Sequence, residues 1–143
     1  MTGDPRIARW QREGRLYKIC PEVAGGLAIP RPAAELVNGD GYRVIAGQAE
    51  VQTASGQKLT GAFLRGAHMA LELARERNIG LALLKSHSPS CGNTQVYSGS
   101  FNGVRVPGSG VSAALLEQNG IQVFNENQID ALEQALALLD INN

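Results

Sequence analysis

Residues 80–85, Gly-Leu-Ala-Leu-Leu-Lys, form a continuous apolar run that closes on Lys85. A half-buried strand alternates apolar and polar residues. A continuous run is what a strand covered on both faces shows, as in the centre of a parallel sheet. Before it, Phe63, Ala67, Ala70, Leu71 and Ala74 recur at helical spacing, while Arg65, Glu72, Arg75 and Glu76 lie off that face. After it comes a loop rich in Ser, Pro and Gly. Helix, buried strand and turn-rich loop in this order constrain the chain to an α/β fold.

The rest of the chain repeats the theme. Asp4-Pro5 reads as an N-cap with Pro at the first helical position, opening a helix to Glu13 that Gly14 ends. Leu16–Cys20 reads as a strand. Pro21 to Pro32, with Gly25-Gly26 and Pro30-Arg31-Pro32, is incompatible with a regular element. Ala33–Val37 is expected to make one helical turn. Tyr42–Ala46 and Ala49–Thr53, around Gly47-Gln48, are expected to form a hairpin. Thr60 is expected to cap the long helix, which runs to about Asn78. Val96-Tyr97, Ser100-Phe101 and Val104–Val106 are short extended pieces. Val111–Gln118 is a helix, Ile121–Phe124 a strand and Ile129–Leu139 a closing helix. The pattern predicts a single domain, residues 1–143, with an open, mostly parallel, Rossmann-like sheet and flanking helices.

Composition narrows the function. Thirteen basic and thirteen acidic residues cancel, and no Lys/Arg run occurs, so nothing supports nucleic-acid binding. No apolar run approaches the roughly 20 residues that span a membrane, and the start has no apolar signal core. These features lead to an expectation of a cytoplasmic protein that binds no membrane. In a reducing compartment the two cysteines, Cys20 and Cys91, are ligands, reactive thiols or buried apolar groups rather than a disulfide.

Each cysteine follows an apolar, strand-like stretch and enters a turn-rich loop: Cys20-Pro21-Glu22 and Ser88-Pro89-Ser90-Cys91-Gly92. Loops at the carboxyl ends of parallel strands hold ligands in such folds. The two thiols are therefore expected to share a site, as ligands of a metal or cluster or as a thiol pair. Glu22 is placed as an acid–base group beside a thiolate-bound centre. Lys85, at the end of the buried strand, is expected to face the same site. Ser86, Ser88 and Ser90 fit turn formation and substrate contact alike. His87 and Arg31 are weaker candidates, Glu35 caps or touches the site, and His68 belongs on a helix surface.

Gly108-Ser109-Gly110-Val111-Ser112-Ala113 fits the pattern G-x-G-x-x-A at a helix start, with Glu126 beyond the next strand. That is the arrangement of a dinucleotide-binding turn. The unit from Val104 to Phe124 is 21 residues, against about 30 for such a unit. A tight turn before a helix is the competing explanation.

Cys20-Pro21-Glu22-Val23-Ala24-Gly25-Gly26-Leu27, Pro30–Glu35, Gly61-Ala62-Phe63 to Ala67, Leu84–Gly92, Tyr97–Phe101 and Gly108–Ala113 occur in one order. Together they resemble the domain of unknown function 523 family, whose members include 2-thiouracil desulfidases. The resemblance covers nearly the whole chain from residue 4. It implies a [4Fe–4S] cluster held by three cysteines, one open iron for the sulfur of a thiolated pyrimidine, and release of uracil and sulfide without net redox change. Cys20 and Cys91 match two of the ligands. Glu22, Ser88 and Lys85 are the implied catalytic residues. The family opens with a strand and loop that supply the third cysteine, and this sequence starts after that point. The expectation is thus a sheet without its first strand and a cluster short of a ligand. A cluster-free remnant that binds a small molecule or partner is the alternative.

Overall fold

The computed structural model describes residues 4–14, 33–84, 89–90 and 92–142. The expected strand Leu16–Cys20 and the Pro21–Pro32 segment lie outside these residues. Over the described residues the chain is mixed α/β. Its elements are α1 (Pro5–Arg12), β1 (Ala34–Val37), α2 (Gly41–Ile45), β2 (Glu50–Thr53), α3 (Thr60–Glu76), β3 (Leu81–Leu84), β4 (Gln95–Tyr97), β5 (Arg105–Pro107), α4 (Val111–Gln118), β6 (Gln122–Asn125) and α5 (Ile129–Asn142).

The apolar run forms β3, which pairs in parallel with β6, from Leu81 opposite Gln122 to Leu84 opposite Asn125. Alternate residues of this pair face two different cores. Ala82, Leu84 and Val123 pack on a main core built from α3, α4, β1 and β2, with Phe63, Val51, Leu71, Val111 and Leu115 at its centre. Leu81, Leu83 and Phe124 pack on a second core of Trp10, Ile129 and Leu132 from α1 and α5. Each face of β3 packs on a core while its four residues stay partly buried, and contact on both faces is the reason the run needs no polar alternation. The other described pairs, β1–β2 and β4–β5, are antiparallel.

The helix patterns translate directly. Every residue assigned to the apolar face of α3 is buried, and His68 is exposed. Asn78 ends α3 in the left-handed region (φ 54°), and the Ile79 N–H closes back on the Ala74 carbonyl at 2.8 Å. Asparagine thus performs the stop that glycine usually supplies. In α1, the Asp4 carboxylate accepts the Arg6 N–H at 2.8 Å, with Pro5 in the first turn.

Four local expectations are overturned. Ala34–Val37 is a strand, because β2 supplies a ladder from farther along the chain, with Leu36 opposite Val51. The hairpin does not form: Gly41–Ile45 is helical, burying Val44, and β2 pairs with β1 instead. Thr60 does not cap α3; its hydroxyl accepts the Val51 N–H at 3.0 Å and donates to Glu50, fastening the helix start to β2. Ser100-Phe101 belongs to a turn, with Phe101 at φ 55°.

Candidate functional site

The expected site residues Cys20, Glu22, Lys85, Ser88 and Cys91, and the weaker candidates Arg31 and His87, lie outside the described residues. The frame around Cys91 is described on both sides. Its centre is the amino end of α4, where four successive N–H groups meet the chain flanking Cys91. Val111 donates to the Pro89 carbonyl at 2.8 Å. Ser112 and Ala113 both donate to the Ser90 carbonyl, at 2.7 and 3.1 Å. Gly110 donates to the Gly92 carbonyl at 2.6 Å. The hydroxyls of Ser90 and Ser112 lie 2.7 Å apart, and both residues are fully buried. The chain on each side of Cys91 is therefore bolted to a helix that is itself buried from Val111 to Leu116.

The contact is close because Gly110 has no side chain. A Cβ there would come within 2.5 Å of the Ser90 carbonyl carbon. The opposite side of the turn is just as tight. The Gly41 N–H donates to the Ser109 carbonyl at 2.6 Å, a Cβ on Gly41 would collide with the Gly110 carbonyl, and the Asp40 carboxylate accepts the Ser109 N–H at 3.3 Å. This disposes of the dinucleotide reading. A pyrophosphate needs unengaged N–H groups at the helix start, and those of residues 109–113 all donate to protein oxygens. The glycines serve backbone-to-backbone packing.

A second motif is docked nearby in the same manner. One oxygen of Glu35 accepts the N–H groups of Gly99 and Phe101 at 3.0 and 3.2 Å, and Gly99 sits at φ 92° against the Leu36 carbonyl. Glu35 therefore holds the Tyr97–Phe101 turn on β1. Beside it, an open cavity of about 280 Å³ lies between α2 and the β4–β5 pair, with Asp40, Arg43, Tyr97 and Ser98 among its walls. Farther along, the Tyr42 hydroxyl donates to Glu117, tying α2 to α4. Burial first, and then this bond to a carboxylate, push the Tyr42 phenol up to about 12.

Among the described residues no group of three His, Cys, Asp or Glu side chains is arranged to hold a metal. The thiolate ligands this chain can offer are Cys20 and Cys91. Sequence reasoning did not assign Ser112, Gly110 or Gly41 to the site. The available signal was the close pairing of glycines with small residues at the start of α4, which fits a backbone contact as readily as a phosphate turn. Among the described residues, no helix is long and apolar enough to cross a membrane.

Comparison with known proteins gives a consistent result. The 2-thiouracil desulfurase family profile matches residues 3–128. The uncharacterized protein YbbK of Bacillus subtilis (strain 168) is 41% identical over 125 residues, covering 87% of this chain and 83% of YbbK. The solved structure of the [4Fe-4S]-dependent thiouracil desulfidase TudS (DUF523Vcz) superposes with a TM-score of 0.86 at 44% identity, covering 96% of this chain and 84% of that one. With the profile spanning most of its length and its ordered motifs set in the matching fold, the chain belongs to the 2-thiouracil desulfurase family.

Proposed function

We propose that this protein removes sulfur from a thiolated pyrimidine such as 2-thiouracil. The balance is thiouracil plus water giving uracil plus hydrogen sulfide. The carbon–sulfur bond breaks, a carbon–oxygen bond forms, and no electrons are gained or lost overall. The observation that carries this reading is the 44% identity to a [4Fe-4S]-dependent thiouracil desulfidase across 96% of the chain.

The two thiols supply the ligand chemistry of an iron–sulfur cluster, one ligand short of the three cysteines that the family resemblance implies. Cys20 and Cys91 are soft, anionic ligands when deprotonated, as such clusters require. Pro89, Ser90 and Gly92 are already fixed by α4, so the chain flanking Cys91 is organised in advance of loading. When bound, the cluster supplies an open iron that attracts sulfur in preference to oxygen. Glu22 acts as general acid–base, taking a proton from the incoming water and returning one to the products. Ser88 orients the base through its hydroxyl. Lys85 offsets the negative charge that develops as sulfur leaves.

The test is anaerobic reconstitution with iron and sulfide, followed by 2-thiouracil in oxygen-18 water. Expected products are sulfide and singly labelled uracil. Replacing Cys20 or Cys91 with Ser should abolish iron retention. Glu22→Gln should keep the iron and lower turnover by roughly 10²–10⁴-fold, the usual contribution of a proton-transfer residue. Iron-loaded protein that releases no sulfide would reject the reading, and thiouracil binding without sulfide release would support a binding protein instead.

A further inference from the structure

Three side-chain amides converge at the carboxyl end of the parallel pair. Asn125 closes β6 opposite Leu84, the last residue of β3, and is buried. Its Nδ2 donates to Oδ1 of Asn93 at 2.9 Å. Asn93 Nδ2 in turn donates to the Val123 carbonyl and to Oε1 of Gln128, both at 3.0 Å. The same Gln128 oxygen accepts the Asn125 N–H at 2.9 Å. The turn from β6 into α5 is closed by the Gln128 N–H on the Asn125 carbonyl and by the Asn127 N–H on the Asn125 side chain.

Asn125 thus reaches both ends of the segment from Leu84 to Asn93. It is the ladder neighbour of the first and the hydrogen-bond partner of the second. Between those ends lie Lys85, Ser88 and Cys91. Asn93 follows Cys91 by two residues, and its amide is spent on three protein partners. With both its amide hydrogens engaged by protein oxygens, Asn93 has no donor left for a substrate. It can fix where the chain goes. A neutral amide set does this without adding charge two residues along the chain from a thiolate ligand, and bonds of 2.9–3.0 Å define the distance more sharply than an apolar contact does.

We propose that Asn93 and Asn125 are positioning residues, a clasp that pins the chain two residues after Cys91 to the end of β6 and thereby governs how firmly the iron centre is held. The inference rests on the reading of Cys91 as a ligand. It differs from the anchoring by α4, which uses backbone groups at the amino end of that helix. Outer partners of metal-ligating residues typically change metal affinity by roughly 10–100-fold when removed.

The test uses the full chain with Asn93→Ala, Asn125→Ala and the near-isosteric Asn93→Asp, which keeps the shape and loses both donors. Tyr42→Phe serves as control, removing a hydrogen bond between α2 and α4. One readout is hydrogen exchange of the peptide spanning residues 85–92 in cluster-free protein. The other is the rate of iron loss to a chelator in loaded protein, compared with the melting temperature. The clasp variants should speed exchange in that peptide and raise iron loss by roughly tenfold or more. The double variant Asn93→Ala/Asn125→Ala should be little worse than either single one. Tyr42→Phe should leave both rates near those of the parent. Unchanged exchange in the clasp variants, or iron loss that follows melting temperature equally in Tyr42→Phe, would overturn the proposal. If the parent takes up no iron, the ligand reading fails, and the exchange measurement alone decides whether the clasp exists.

Discussion

Gly110 and Gly41 stand back to back, and between them three backbone segments meet at distances a Cβ would forbid. At Gly110 the obstacle is the Ser90 carbonyl group rather than the end of a flexible side chain, so relief requires a backbone shift. Gly110→Ala should therefore cost about 1–3 kcal/mol, the usual range for overpacking, as read from urea unfolding. It should also loosen the Cys91 flank. Gly61 makes the contrast. It lies exposed in α3, and an added Cβ meets nothing nearer than the Arg65 guanidinium at 3.4 Å. Gly61→Ala should raise stability by up to about 1 kcal/mol, because alanine loses less backbone entropy in a helix. Opposite signs for one substitution at two glycines would separate the conformational role from the packing role. Equal losses at both would count against the tight contact at Ser90.

Among elements, the helices other than α2 were legible, and so was β2 as a strand; β1, α2 and the pairing of β1 with β2 were not. The apolar face of α3 shows in the local spacing of Phe63, Ala67, Ala70, Leu71 and Ala74, and the whole of α4 lies between a glycine turn and Gly120. β1 has no local signature. Leu36 becomes a strand residue because Val51 lies opposite it, and that pairing is settled by distant chain. Tyr42–Ile45 carries strand-favouring residues, yet Asp40 and Gly41 dock on the start of α4 and Val44 enters the core. Tertiary contact outweighs propensity there. The same non-local logic hid the role of Thr60. The local sequence offers a cap, whereas the fold needs an acceptor for the buried Val51 N–H. Thr60→Ala should cost about 1–3 kcal/mol, since a buried donor loses its partner. Thr60→Ser should recover most of it by keeping the hydroxyl. A Thr60→Ala variant with parent-like urea unfolding would show that the bond to β2 is dispensable. For the site, the motifs indicated which loops matter. The backbone clamp on one of them was hidden because Pro89, Ser90 and Gly92 meet partners on a later helix and do so through main-chain groups.

At the scale of the molecule, the β3–β6 pair divides two cores, and the smaller one depends on α1 staying docked against α5. Trp10 is buried between them, with the Arg9 guanidinium 6.0 Å from its ring. Arg6 links α1 to α5, reaching Asp130 and Glu133 at 2.7 and 3.2 Å while also holding Asp4 at 2.8 Å. The Arg6 side chain and backbone bonds draw the Asp4 carboxyl from its ordinary value down to about 2. A carboxylate with a depressed folded-state pKa contributes stability above its unfolded value near 3.8, and that contribution is lost as pH falls through the folded value. Asp4→Asn keeps a capping oxygen and removes the charge. The parent should therefore be the more stable of the two above about pH 4, and the difference should shrink as pH falls further and vanish below about 2. Added salt should narrow it at neutral pH, because these groups reach water. Trp10 is the chain's single tryptophan, so its emission reports directly on this contact. On acidification the parent should red-shift between pH 4 and 2, and Asp4→Asn should shift at higher pH. Coincident fluorescence transitions in the two proteins would mean that the Asp4–Arg6 link does not hold α1 in place, and that the apolar contacts of Trp10 with Ile129 and Leu132 suffice.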